Sequence, residues 1–139
     1  MKRTLKVRRP VVTKKPAVEK NNSATAEKVV SKAMTRAAKH LKISNVELSS
    51  IIGISEPQLS RIGAEKVFLN RKKKEFELAV LFTRLYRSLD AITGGDDSVS
   101  AEWMRNSNNA LNEKPVEKIK TIGGLIDVIT YLDSRRAPI

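Results

Sequence analysis

Gln58 and Arg61 stand three residues apart in the stretch "SEPQLSRI" of residues 55–62, with Ser55 ahead of them and Ser60 between. On a helix, residues three apart lie on neighbouring turns, so an amide and a guanidinium would project from the same side. That pairing suits recognition more than bond-making. A Gln amide matches the N6/N7 edge of adenine, and an Arg fork matches the O6/N7 edge of guanine. Ser55 falls at the helix start, where a hydroxyl beside free backbone N–H groups suits a phosphate or a base edge. Lys66 and Arg71 follow and are placed to meet phosphates. Glu56 would repel phosphate, so it reads a cytosine amino group or points away.

Bond-making residues are missing from the sequence. There is no cysteine and a single histidine, His40. That removes disulfides, thiolate metal sites and thiol nucleophiles together, and it fits a reducing cytoplasm. No carboxylate pair sits in an apolar pattern, and no glycine-rich loop follows a strand. Asp96-Asp97 after Gly94-Gly95 reads as a helix boundary. His40, ending a lysine-rich helix, reads as solvated or as a C-terminal capping residue. The expectation is a protein that is not an enzyme, with no cofactor and no metal.

The formal charge of +12 is unevenly spread. Residues 1–22 hold eight Lys/Arg against one Glu, while residues 69–139 hold twelve against ten. A basic front implies a polyanionic partner. Aromatics make up only 4% of the chain, too few for the stacking platforms that grip single strands, so a duplex is favoured. No apolar run approaches the ~18 residues of a membrane span, and no apolar segment follows the charged start as in a secretory signal.

The elements that would carry these residues follow from periodicity. Residues 1–22, with Pro10, Pro16 and many charges, read as a disordered basic arm. From Thr25, apolar residues recur at threes and fours (Ala26, Val29, Val30, Ala33, Met34, Ala37, Leu41) and predict a helix of about four turns. Ser44 with Glu47 is a capping box opening a second helix, which Gly53 ends. Ser55 with Gln58 is another box, with Pro57 in the first turn of a third helix. A long helix over 71–93 carries the stripe Leu78, Leu81, Phe82, Leu85, Leu89 and Ile92. Phe76, Val80 and Tyr86 widen it, so this helix must be covered on more than one side. Phe82, Leu85, Tyr86 or Leu89 is expected to supply part of a homodimer interface. Gly94-Gly95 stops it. "SVSAEWMRN", a loop, a short helix opened by Pro115 and a closing helix follow, the last with Ile122, Leu125, Ile126, Ile129 and Leu132 inward. The fold class is all-α with about seven helices, in three segments: an arm over 1–22, a DNA-binding unit over 23–69, and a dimerisation and partner-binding unit over 70–139.

The second and third helices meet the demands of a helix-turn-helix. Counting from Gly53, the buried positions lie five and one before it and one, six and nine after it. They are Leu48, Ile52, Ile54, Leu59 and Ile62, all aliphatic. Ser49 supplies the small residue where the helices touch most closely. Gly53 supplies the left-handed turn. This stretch resembles the Xre-type (lambda-repressor-like) helix-turn-helix, and the resemblance implies operator binding as a homodimer.

The remainder resembles the C-terminal domain of the Xre/MbcA/ParS-like antitoxins. The residues that carry the likeness are Trp103, then Leu111, Pro115, Val116, Ile119, Thr121, Gly124, Val128 and Leu132 in that order. Two positions depart from the pattern. The loop "NSNNAL" has no proline, and Asn112-Glu113 replaces a Gly-Gly. The resemblance implies an antitoxin of a type II toxin–antitoxin system. Its partner would be a RES-domain toxin that consumes NAD, its active site would be covered by the antitoxin, and the antitoxin would repress its own operon. On that reading Trp103, Arg135, Arg136, Pro138 and Ile139 bind the toxin, with the paired guanidiniums and the chain end blocking NAD entry. Trp103 also reads as a core anchor. The alternative is a plain repressor of the same family, whose second half only dimerises or senses a small molecule.

Overall fold

The computed structural model describes residues 14–136, with side chains from residue 22 onward. Seven helices appear among them: α1 Lys14–His40, α2 Asn45–Ile52, α3 Glu56–Gly63, α4 Lys74–Thr93, α5 Asp97–Arg105, α6 Pro115–Lys118 and α7 Ile122–Arg135. The all-α expectation holds, the nearest approach to a strand being one isolated bridge between Asn108 and Glu113. The first helix is longer than its apolar pattern predicts. It begins at Lys14, inside the stretch read as an arm, and residues 1–13 of that arm lie outside the described residues. Pro16 does not prevent this. It stands third in α1, where a backbone N–H has no intrahelical acceptor to lose.

The expected boundary residues act through identifiable bonds. Ser44 Oγ accepts from the Glu47 N–H at 3.2 Å while the Glu47 carboxylate accepts from the Ser44 N–H at 3.0 Å. Ser55 forms its half of the second box, accepting from the Gln58 N–H at 3.2 Å. Asp96 caps α5 by accepting from the Val99 N–H, which confirms the boundary reading of Asp96-Asp97. The departure at Asn112 also has a physical account. Asn112 sits at φ +65, and asparagine tolerates this left-handed region better than any residue but glycine.

The central helix is α4, packed on α7, α1, α5 and α2. Its cover on several sides is what its wide apolar surface demands. The core is continuous along the chain, from Met34 and Leu41 through Ile52 and Leu69 to Met104, Ile119 and Leu132. Leu69 is fully buried, and its N–H donates to Ser31 Oγ at 2.8 Å, pinning the segment between α3 and α4 onto α1.

Burial corrects several expectations. Phe82, Leu85 and Leu89 are buried within the single chain, where α1, α5 and α7 enclose α4, so they offer no surface to a second copy. Tyr86 is half-buried and stacks on His40 at 5.4 Å. Val29, Val80, Ile92, Ile122 and Ile126 are exposed. On α7 the inward face is Gly124, Leu125, Val128, Ile129 and Leu132, which leaves Ile122 and Ile126 on its solvent flank. Trp103 is only half-buried, and its neighbour Met104 is the fully buried anchor of α5.

Candidate functional site

The five aliphatic positions of the motif are all buried, none more than 7% exposed. Gly53 adopts φ +87, and its N–H donates to the Ser49 carbonyl at 2.8 Å. Ser49 is small for a reason beyond space. Its hydroxyl donates to the Ile54 carbonyl at 2.5 Å and so ties the end of α2 to the start of α3. With Leu48, Ile52, Ile54, Leu59 and Ile62 inside, α3 turns Ser55, Glu56, Ser60 and Arg61 to solvent, and Gln58 lies half-buried at the flank. Ser60 Oγ accepts from Asn45 Nδ2 at 3.5 Å, which links the exposed side of α3 to the first residue of α2.

Lys66 is exposed in the turn after α3, its N–H bonded to the Arg61 carbonyl at 2.9 Å. Arg71 is placed differently. Its backbone N–H donates to Glu27 Oε2 at 2.8 Å and its Nη1 donates to Ser23 Oγ at 2.7 Å. It moors the loop to α1, so of the expected phosphate contacts it is the one already engaged within the chain.

Arg105 was invisible to sequence reasoning, because its partners lie 58 and 63 residues away. Its guanidinium makes a bidentate pair with Glu47, Nη1 to Oε2 at 2.6 Å and Nη2 to Oε1 at 2.8 Å, and Nη2 also donates to the Lys42 carbonyl at 2.7 Å. The hydrogen bond from Arg105 holds the Glu47 carboxyl well below the usual range, at about 2. One carboxylate thus caps α2 and fastens α5 to it. A second clasp sits nearby, at His40, which is exposed in the last turn of α1 as expected and gains a partner that the sequence did not indicate. His40 Nδ1 lies 2.5 Å from Asp97 Oδ2, and its ring stacks on Tyr86. Burial first, then the Asp90 and Asp97 charges, push the Tyr86 phenol up to about 12.

The other expected surface lies on α5 and α7. Trp103 stacks on Tyr131, with centroids 6.3 Å apart, and Arg135 lies over the Tyr131 ring at 5.1 Å. Arg136 and Arg135 are exposed and border an open groove of about 440 Å³ with Ala91 and Ile92. Asp133 anchors this end of α7 to α4, accepting from Arg84 Nη2 at 2.6 Å and Ser88 Oγ at 2.9 Å. The structure thus brings Trp103 and Arg135 to one stack, with Arg136 next to it. Pro138 and Ile139 lie outside the described residues.

No helix among the described residues is long and apolar enough to cross a membrane. No curated protein matches the chain. Two family models do. Residues 21–84 match the antitoxin Xre-like helix-turn-helix domain, and residues 88–137 match the antitoxin Xre/MbcA/ParS C-terminal toxin-binding domain. The two matches meet inside α4 and between them span most of the chain. The first takes in Ser49, Gly53 and the buried aliphatics around them, and the second takes in the Trp103 stack, Thr121, Gly124 and both arginines. The chain belongs to the Xre-type antitoxins of toxin–antitoxin systems, with a DNA-binding helix-turn-helix joined to a toxin-binding C-terminal domain.

Proposed function

We propose that this antitoxin neutralises a RES-type, NAD-consuming toxin by placing the C-terminal end of α7 and the residues after it over the toxin's active site, and that it represses its own operon through α3. The observation that carries the first part is the arrangement at the end of α7. Two exposed guanidiniums stand beside an aromatic stack and the exposed Ile92, on a helix end that Asp133 fixes to α4. A paired-cation surface of this kind suits a cleft built for a dinucleotide's phosphates or an acidic catalytic group. The apolar and aromatic residues around it supply the buried anchors a protein interface needs. Operator reading falls to Gln58 and Arg61, with Ser55, Ser60 and Lys66 contacting backbone or base edges. A homodimer remains part of this reading, formed by surface other than Phe82, Leu85 and Leu89.

Truncation after Asp133 keeps the anchor to α4 and removes Arg135 and Arg136. In a mixture with the toxin, NAD consumption is restored while DNA binding is unchanged. Full inhibition by the truncated chain would place inhibition on the globular surface instead. For the DNA half, Arg61→Ala weakens operator binding by about 1–3 kcal/mol and relaxes preference at one base pair. Wild-type discrimination between operator and random duplex in that variant would remove Arg61 from the groove.

A further inference from the structure

Lys28, Lys32, Arg36 and Lys39 follow one another along α1 at steps of four, four and three residues. At 3.6 residues per turn these positions fall within about 80° of one another, a single stripe roughly 16 Å long. Lys28, Arg36 and Lys39 are exposed, and no carboxylate pairs with them among the described residues. Lys32 is the exception, held by Glu65 at 3.3 Å.

The stripe lies beside α3. One groove between α1 and α3 is lined by Thr35, Lys39, Asn45, Ser60 and Gly63, among others. A second is lined by Lys32, Thr35, Arg36, Gly63 and Glu65 with Ile62. Lys39 therefore borders the flank of α3 that carries Ser60, Arg36 borders the end of α3 at Gly63, and Lys28 continues the same stripe further along α1. A helix packed against its neighbour at an axis distance of about 8–10 Å sits near the rim of a major groove about 12 Å wide when that neighbour fills the groove. The rim is a phosphate strand. At 3.4 Å per phosphate along the axis, a stripe of roughly 16 Å spans about five of them.

We propose that Lys28, Arg36 and Lys39 form a phosphate-binding face that clamps the strand of duplex DNA bordering the groove occupied by α3. The proposal rests on the reading of α3 as the groove helix. It adds a backbone clamp independent of sequence, on an element outside the two motif helices. Duplex DNA is the partner because the deep, narrow major groove of RNA would not admit α3.

The test uses the full chain with Lys28, Arg36 and Lys39 all changed to Ala, and Arg61→Ala measured alongside. Three probes are titrated over a range of salt: a random-sequence DNA duplex, a duplex selected by the wild-type protein from a randomised pool, and a single-stranded RNA. The expected result is a slope of log affinity against log salt flatter by about 2.7 on both duplexes, near 0.9 for each lost phosphate contact, with the preference for the selected duplex retained. Arg36→Lys keeps the wild-type slope, since a phosphate accepts either cation, whereas Arg36→Ala loses about 0.9 of it. All four positions are exposed, so the melting temperature is expected to stay near wild type, and it is recorded for each variant. An unchanged slope in the triple variant, with Arg61→Ala still losing base preference, overturns the clamp and leaves α3 in the groove. A loss confined to the RNA probe overturns it as well. If Arg61→Ala changes nothing and the wild-type protein binds both duplexes alike, the reading of α3 fails and the clamp with it.

Discussion

Glu47 fulfils two structural demands with one carboxylate. It closes the capping box on Ser44 and receives both arms of Arg105. The capping role is legible in the sequence, because Ser44 and Glu47 are three apart. The pairing with Arg105 is not, because nothing local ties residue 47 to residue 105. The depressed pKa has a definite consequence. A carboxyl at about 2 in the folded chain and near 4.5 in the unfolded one contributes stability that is complete above pH 4.5. That contribution drains away as pH falls toward 2. Acid unfolding of the wild-type protein followed by circular dichroism should therefore steepen across this window, and Glu47→Gln should flatten it. At neutral pH, Glu47→Ala should destabilise by about 1–3 kcal/mol in a denaturant melt, since it removes a cap and leaves Arg105 without its partner. An unchanged melt would mean that the clasp between α5 and α2 contributes nothing to the fold.

Among the elements, the α6–α7 corner shows how one position decides a junction. Thr121 caps α7 by accepting from the Gly124 N–H at 3.0 Å. A Cβ on Gly124 would meet the Lys118 carbonyl oxygen at 1.8 Å, whereas one on Gly123 would meet nothing within 4 Å. Sequence reading placed Gly124 in the pattern of the C-terminal domain but gave no reason for it. The reason is close approach, as α7 starts against the last carbonyl of α6. Gly124→Ala should therefore cost about 1–3 kcal/mol through forced displacement of α7. It should lower the melting temperature and weaken toxin neutralisation together. Gly123→Ala is the control, expected to be neutral or slightly stabilising in the same assays. Equal behaviour of the two variants would show that the corner can relax. Gly53 presents the opposite case, with open space around it and a constraint that lies wholly in its backbone angle.

At the scale of the molecule, the apolar core passes without a break from the motif helices through α4 to α7. Helix α4 contributes to both family matches and packs on both α1 and α7. The chain should therefore unfold in one cooperative transition, with calorimetric and van't Hoff enthalpies in agreement. A fragment ending at residue 69 should not hold α1 and the two motif helices together, because α1 and α2 lose their packing on α4. Two resolved transitions, or a folded 1–69 fragment by circular dichroism, would show that the two functional units have separate cores. What the sequence by itself determined is whatever depends on residues a few positions apart. Helix period, the boxes at Ser44 and Ser55, the turn at Gly53 and the five aliphatics around it all act within one or two turns of chain, so local chemistry fixes them. Tertiary structure alone decided which apolar residues go inside. Phe82, Leu85 and Leu89 read as part of a homodimer interface, and Ile122 and Ile126 read as inward. The choice rests on how many neighbours surround α4 and on which side of α7 meets it. The same holds for Arg105 with Glu47 and His40 with Asp97, which span 58 and 57 residues and exist only because packing carries α5 to the ends of α1 and α2.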